Sequence, residues 1–217
     1  MWWLLELEVS DSNGHYKRNE FVVHVKLIAG LGNPGSRYEG TRHNIGFQAI
    51  DRLLKISSAK SERHDHEALI FETEEFGLLC KPLTYMNRSG RALLGLAREY
   101  GIQPQEILVL FDDFALNLGL IRVRVRGSSG GHNGLQSIID SFGSVEIPRV
   151  RLGIKTEAMD QWVDFVLTKF KRSELEIVDE MLEQSCDAVS VILKEGMSTA
   201  MNRFNKKQKL ENGTESD

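Results

Sequence analysis

This 217-residue chain has only two cysteines, no long apolar run and no surplus of positive charge. Cys80 and Cys186 each sit inside a hydrophobic pattern, so buried thiols in a reducing compartment are expected rather than a disulfide or a metal pair. No stretch approaches the roughly 20 apolar residues of a membrane helix, so no membrane partner is expected. The opening MWWLLELEVS is briefly apolar, but it lacks a basic leader and carries Glu6 and Glu8. It shows neither a small-residue cleavage site nor the Arg and Ser bias of a transit peptide, so a cytoplasmic protein is expected. A net charge of −4 argues, taken alone, against a nucleic-acid partner. No internal repeat is visible.

What is present reads as one globular domain: 41% hydrophobic and 27% charged residues, at a length that favours a single domain with terminal extensions. The charge is unevenly placed. Residues 120–155 carry Arg122, Arg124, Arg126, Arg149, Arg151 and Lys155 against Asp140 and Glu146, a local net of +4. Residues 173–195 carry seven acidic side chains and one lysine, a local net of −6. A chain polarised in this way can present a basic face to a polyanion while remaining acidic overall.

The apolar stretch 21–31 breaks at glycines and reads as a buried strand. Ile45, Ala49, Ile50, Leu53 and Leu54 recur at helical spacing, which predicts a helix over 41–57 with Thr41 as its N-cap. HEALIFETEEFGLLCKPL reads as two strands turning at 74–77, and MNRSGRALLGLAREYG as a helix stopped by Gly101. Strands are expected at 106–111, 120–125 and 150–154, with a short helix at 133–142. A closing helix is expected to open on a capping box of Ser173 with Glu176 and to run to Gly196, before a short helix through Phe204. Strands alternating with helices indicate an α/β fold, a single domain with a mixed β-sheet.

Gly30-Leu31-Gly32-Asn33-Pro34-Gly35 formally matches the G-x-G-x-x-G dinucleotide fingerprint. That fingerprint needs its last glycine to open a helix, and an acidic residue at the end of the next strand. Here Asn33-Pro34-Gly35 is turn chemistry, the helical period starts near Thr41, and the nearest acid, Asp51, falls in mid-helix. A glycine-rich turn that presents Asn33 to a pocket is the better reading, and no dinucleotide is expected.

Polar groups cluster just after strand ends, where open α/β sheets place their sites. Asn33 follows the first strand, His43 opens the first helix, Asn87 begins the second, Asp112 ends the strand EILVLF, and Asn133 follows SSGGH. One base-capable imidazole, one carboxylate to hold its ring and three amides suit attack of water on an acyl group. Either Asp112 or Asp113 could be the inward carboxylate. Asn133 could equally be a simple N-cap. His64 and His66 lack further ligands and read as a solvated strand edge, so no metal is expected. Arg122, Arg124 and Arg126 should share one strand face at about 6.6 Å spacing.

The segments LIAGLGNPGSRYEGTRHNIGF, KPLTYMNRSG, LVLFDDFALNLGLIRVRVRGSSGGHNGLQSII and RVRLGI with DFVL resemble the bacterial-type peptidyl-tRNA hydrolase family, in family order across roughly residues 25–205. The resemblance implies a phosphorylase/hydrolase-like three-layer sandwich, no cofactor, a monomer, and hydrolysis of the ester between a peptide and a tRNA 3′ end. It makes His43 the general base and Asp112 the carboxylate that orients it. Asn33 becomes the residue that distinguishes an N-blocked aminoacyl group from a free amine. Asn87 and Asn133 become amides positioning the carbonyls and the 3′-terminal nucleoside, with Tyr38, Tyr85 and Met86 lining that site. Arg122, Arg124 and Arg151 become the clamp for the tRNA acceptor region. Phe111 stands where the family often has His, and Asp113 where many relatives have Glu. Residues 1–24 have no counterpart in the resemblance and are expected to be an extension, with Val23 or Val25 as an alternative start. Residues 206–217 are expected to be a disordered tail, and TEAMDQW, residues 156–162, a flexible cover. A dinucleotide oxidoreductase and a non-catalytic RNA-binding relative are the competing readings.

Overall fold

The computed structural model describes residues 24–156 and 162–205. Residues 1–23 and 206–217 and most of the expected cover lie outside the described residues.

Seven strands form one sheet: β1 (Leu27–Gly30), β2 (Ala59–Asp65), β3 (Ala68–Thr73), β4 (Gly77–Pro82), β5 (Ile107–Asn117), β6 (Ile121–Arg124) and β7 (Arg149–Lys155). Their spatial order is β2-β3-β4-β1-β5-β7-β6. The centre is parallel, with β1 between β4 and β5 and with β7 beside β5. The flanking pairs β2/β3, β3/β4 and β6/β7 are antiparallel. The helices are α1 (Ile45–Lys55), α2 (Ser89–Tyr100), α3 (Asn133–Phe142), α4 (Trp162–Phe165), α5 (Leu175–Glu195) and α6 (Met197–Phe204).

Alternation along the strands explains the layers. Leu108 and Leu110 of β5 and Val150 and Leu152 of β7 pack with α1, α5 and α6. Ile107 and Val109 of β5 pack on the opposite face with α2 and α3. This makes the three-layer α/β sandwich. No described helix is long and apolar enough to cross a membrane.

Several expectations are corrected. Strand β2 escapes the pattern because AKSERHD has no alternating apolar set; it is held by backbone pairing to β3 and is exposed along most of its length. Strand β5 does not stop at Phe111: it continues through both aspartates to Asn117, so Asp112 lies within the strand. Thr41 does not cap α1. A 3-10 turn over Arg42–Asn44 comes first, and the Thr41 hydroxyl donates to the carbonyl of Tyr38. The expected Ser173–Glu176 box is absent, because Ser173 lies inside a 3-10 turn ahead of α5, and it is the Glu174 carboxylate that accepts from Lys171 N–H. Gly101 does end α2, at φ 62°.

The glycines of the first loop serve packing. A Cβ on Gly30 would collide with the carbonyl of Gly46, and one on Gly46 with the backbone of Leu31 and Leu110. They let α1 lie directly against β1 and β5, which carries His43 towards the sheet. At the far edge, the Asn205 side chain accepts from Val123 N–H at 2.8 Å and donates to its carbonyl at 3.1 Å, occupying the backbone groups of that one residue of β6.

Candidate active site

Asn33, just after β1, is held by a neighbour absent from the expected site. Its N–H donates to Asn44 Oδ1, and Asn44 Nδ2 donates to its carbonyl, each at 2.9 Å. Met86 N–H then donates to Asn33 Oδ1 at 2.8 Å. The oxygen end of the Asn33 amide is thereby engaged, which leaves Nδ2, a donor, for a bound group.

His43 Nδ1 lies 2.8 Å from Asp112 Oδ1. A second imidazole reaches the same oxygen: His132 Nε2, at 2.9 Å. Leu135 N–H donates to His132 Nδ1 at 3.1 Å, so that nitrogen is unprotonated and Nε2 carries the hydrogen. Asp112 Oδ1 therefore accepts from both rings, and His43 keeps Nε2 as its basic nitrogen. Burial works to raise the Asp112 pKa, but electrostatic attraction to His43 and His132 and the hydrogen bonds their N–H groups donate outweigh it and hold the carboxyl well below the usual carboxylate range. The choice between the two adjacent aspartates is settled in geometry: Asp112 faces the imidazoles, and Asp113 faces Arg151.

Around the dyad lies a cleft of about 620 Å³ lined by Asn33, Tyr38, His43, Tyr85, Met86, Asn87, Asp112, His132 and Asn133, among others. Tyr38 and Tyr85 meet edge to face at 6.4 Å between centroids. Met86 is buried, and a Cβ on Gly134 would strike its Sδ, so the glycine brings α3 against this wall. Asn133 is not the N-cap of α3. His132 is, and the Asn133 side chain forms no hydrogen bond among the described residues.

One wall, with Val166 and Leu167, is tied to the turn that carries His43. Arg42 N–H donates to the carbonyl of Thr168 at 2.9 Å and His43 N–H to that of Val166 at 2.8 Å. The Arg42 side chain is 1% exposed, pairs with Glu174 at 2.5 Å and lies between the rings of Phe165 and Phe170, 4.3 and 4.6 Å from their centroids.

The arginines lie outside this cleft. On the α3-side face of β7 and β6, Arg122 pairs in register with Arg151, and Arg124 with Arg149. Arg124 and Arg151 line a neighbouring groove of about 300 Å³ with the loop 127–130. Burial first, then the positive charges of Arg122 and Arg151, lowers the Arg124 pKa. Arg149 is buried and donates to the carbonyls of Ile147, Gly127, Ser128 and Val145, which staples the loops on either side. Burial, then Arg151, lowers its pKa to about 10, against the opposing effect of Glu146. Arg126 leaves the expected row: β6 ends at Arg124, and Arg126 pairs with Glu146 at 3.0 Å.

Among the described residues, two clusters offer donor sets that a metal ion could use, His43 with Asp112 and His132, and exposed Asp65 with His66 and Glu99. In the first, both rings already face the carboxylate at hydrogen-bond distance. In the second, His66 Nε2 lies 2.7 Å from Glu99 Oε2.

The family model for peptidyl-tRNA hydrolase matches residues 27–212. The chain is 44% identical over 187 residues to the peptidyl-tRNA hydrolase of Elusimicrobium minutum, covering 84% of this chain and 100% of that protein. It is 46% identical over 182 residues to that of Thermoanaerobacter sp., with 82% and 98% covered. The chain belongs to the peptidyl-tRNA hydrolase family. The crystal structure of peptidyl-tRNA hydrolase from Acinetobacter baumannii superposes with a TM-score of 0.77 at 31% identity, over 86% of this chain and 97% of that one. Within this peptidyl-tRNA hydrolase fold, sequence reasoning missed Arg42, Asn44 and His132. All three sit inside the strings TRHN, residues 41–44, and GGHNG, residues 130–134, which are the signals that could have found them.

Proposed function

We propose that this chain hydrolyses the ester joining a peptide, or an N-blocked aminoacyl group, to the terminal ribose of tRNA, with residues 25–205 as the catalytic domain of a cytoplasmic monomer. The observation that carries the mechanism is the 2.8 Å contact of His43 Nδ1 with Asp112 Oδ1 in the wall of the cleft. With that proton directed at Asp112, His43 Nε2 takes a proton from water. The water oxygen adds to the ester carbonyl carbon, the bond to the ribose oxygen breaks, and His43 returns its proton to that oxygen. The products are a peptide acid, which ionises, and tRNA with a free terminal hydroxyl. Asp112 keeps the ring in this tautomer and stabilises its cation.

Asn33 Nδ2 suits the carbonyl of an N-blocked acyl group. A free aminoacyl ammonium presents only donors, so donor would meet donor. Asn87 and Asn133 offer amides for the substrate carbonyls and the 3′-terminal nucleoside, between Tyr38, Tyr85 and the wall at Met86. Arg122, Arg124 and Arg151 are the residues suited to phosphates of the acceptor region.

The test is cleavage of N-acetyl-aminoacyl-tRNA. His43→Ala should lower kcat by about 10²- to 10⁴-fold while the circular dichroism spectrum stays native. A wild-type protein that binds tRNA without cleaving the ester would instead favour a non-catalytic RNA-binding protein.

A further inference from the structure

We propose that Asp113 is a charge brake on the arginine stripe, limiting how tightly the protein holds tRNA phosphates so that the product can leave. The proposal rests on the reading of the stripe as a phosphate clamp. Asp112 and Asp113 are neighbours on β5 with opposite faces: one turns to His43, the other to Arg151. Asp113 is buried, and its position is set by Ala115 N–H, which donates to Oδ1 at 2.9 Å. Its Oδ2 lies 2.6 Å from Arg151 Nη2. Among the described residues it is the one carboxylate paired with any of Arg122, Arg124 and Arg151.

The Arg151 side chain remains 28% exposed, and a guanidinium has donors to spare for a second anion. A phosphate can therefore reach Arg151, but it does so against the fixed negative charge of Asp113.

The reason for such a brake lies in the reaction. The phosphates are identical in peptidyl-tRNA and in the released tRNA, so contacts to them stabilise substrate, transition state and product alike. Uniform binding of this kind lowers KM without raising kcat, and beyond saturation it slows release. Three unopposed guanidinium groups would be more grip than a turning-over hydrolase can use. One buried carboxylate reduces that grip without removing an arginine.

Asp113→Asn keeps an acceptor for Ala115 N–H and removes the charge; Asp113→Ser does the same with a smaller group. Deacylated tRNA binding is measured across a salt series, together with single- and multiple-turnover cleavage of N-acetyl-aminoacyl-tRNA. Both variants should bind tRNA about 3- to 10-fold more tightly at low salt. The slope of log K against log salt should steepen by about 0.7 to 0.9. Multiple-turnover rates should fall more than single-turnover rates, and Asp113→Glu should restore wild-type behaviour. Arg122→Ala with Arg124→Ala should move affinity and slope the other way. Unchanged affinity and slope, or weaker binding, would overturn the proposal, the latter by showing that Asp113 holds Arg151 in place for the phosphate. If one variant fails to fold, the other decides. A wild-type protein that neither binds tRNA nor cleaves the ester would instead remove the hydrolase reading beneath it.

Discussion

His43 Nδ1 and Asp112 Oδ1 face each other across 2.8 Å, with the carboxylate almost wholly buried beneath the ring. This fixes which imidazole nitrogen is basic. In Asp112→Asn the amide can turn its Nδ2 to His43, which forces Nδ1 to accept and moves the ring proton to Nε2. Ester cleavage should fall by about 10²- to 10⁴-fold with little change in substrate affinity, read as a fall in kcat rather than a rise in KM.

The same carboxylate links stability to pH. Its folded pKa is depressed, so the unfolded state binds the proton more readily and stability rises with pH. The contribution is fully present above the unfolded value of about 3.9 and is lost as pH falls below it. The urea-unfolding difference between wild type and Asp112→Asn should therefore shrink as pH falls below about 4. A difference that kept growing below about pH 4 would contradict the assignment.

His132 has two separable jobs: its Nδ1 caps α3 and its Nε2 donates to Asp112. His132→Ala loses both, and should cost about 0.5–2 kcal/mol from the cap and about 10- to 100-fold in kcat from the lost hydrogen bond to a charged group. His132→Asn can restore the cap but is too short for Asp112. Recovery of the unfolding midpoint without recovery of kcat is the expected signature, and joint recovery would show a purely structural role.

Arg42 tests the wall. Removing one partner of a buried ion pair strands the other, typically at about 3–5 kcal/mol. Arg42→Met should lower the unfolding free energy on that scale, measured by urea titration. Arg42→Lys should rescue it only in part, because an ammonium cannot lie flat between Phe165 and Phe170.

The central strands of the sheet were legible because they are largely buried and read as apolar runs. β2 was not, since its residues face solvent and only backbone pairing places them. The site was legible where a residue type carries chemistry, as with His43, Asp112 and the three asparagines that reach the cleft. It was illegible where a residue acts on another residue. Asn44 holds the peptide group of Asn33 from 11 positions away, and His132 reaches Asp112 from 20. Nothing in local spacing reports such contacts. The glycine fingerprint was a formal match only, and Gly30 is required by the helix packed across it.

The last described residue, Asn205, has a consequence for how the protein behaves at high concentration. A bare outer strand displays unpaired backbone groups on which another chain can assemble. At β6 the amide of Asn205 occupies the backbone groups of Val123, and at the opposite border β2 presents Lys60, Glu62, Arg63 and Asp65 instead of an apolar ribbon. One margin is plugged by a side chain and the other defended by charge. Asn205→Ala should therefore leave the cleft intact and raise the tendency to self-associate, through the strand that bears Arg122 and Arg124.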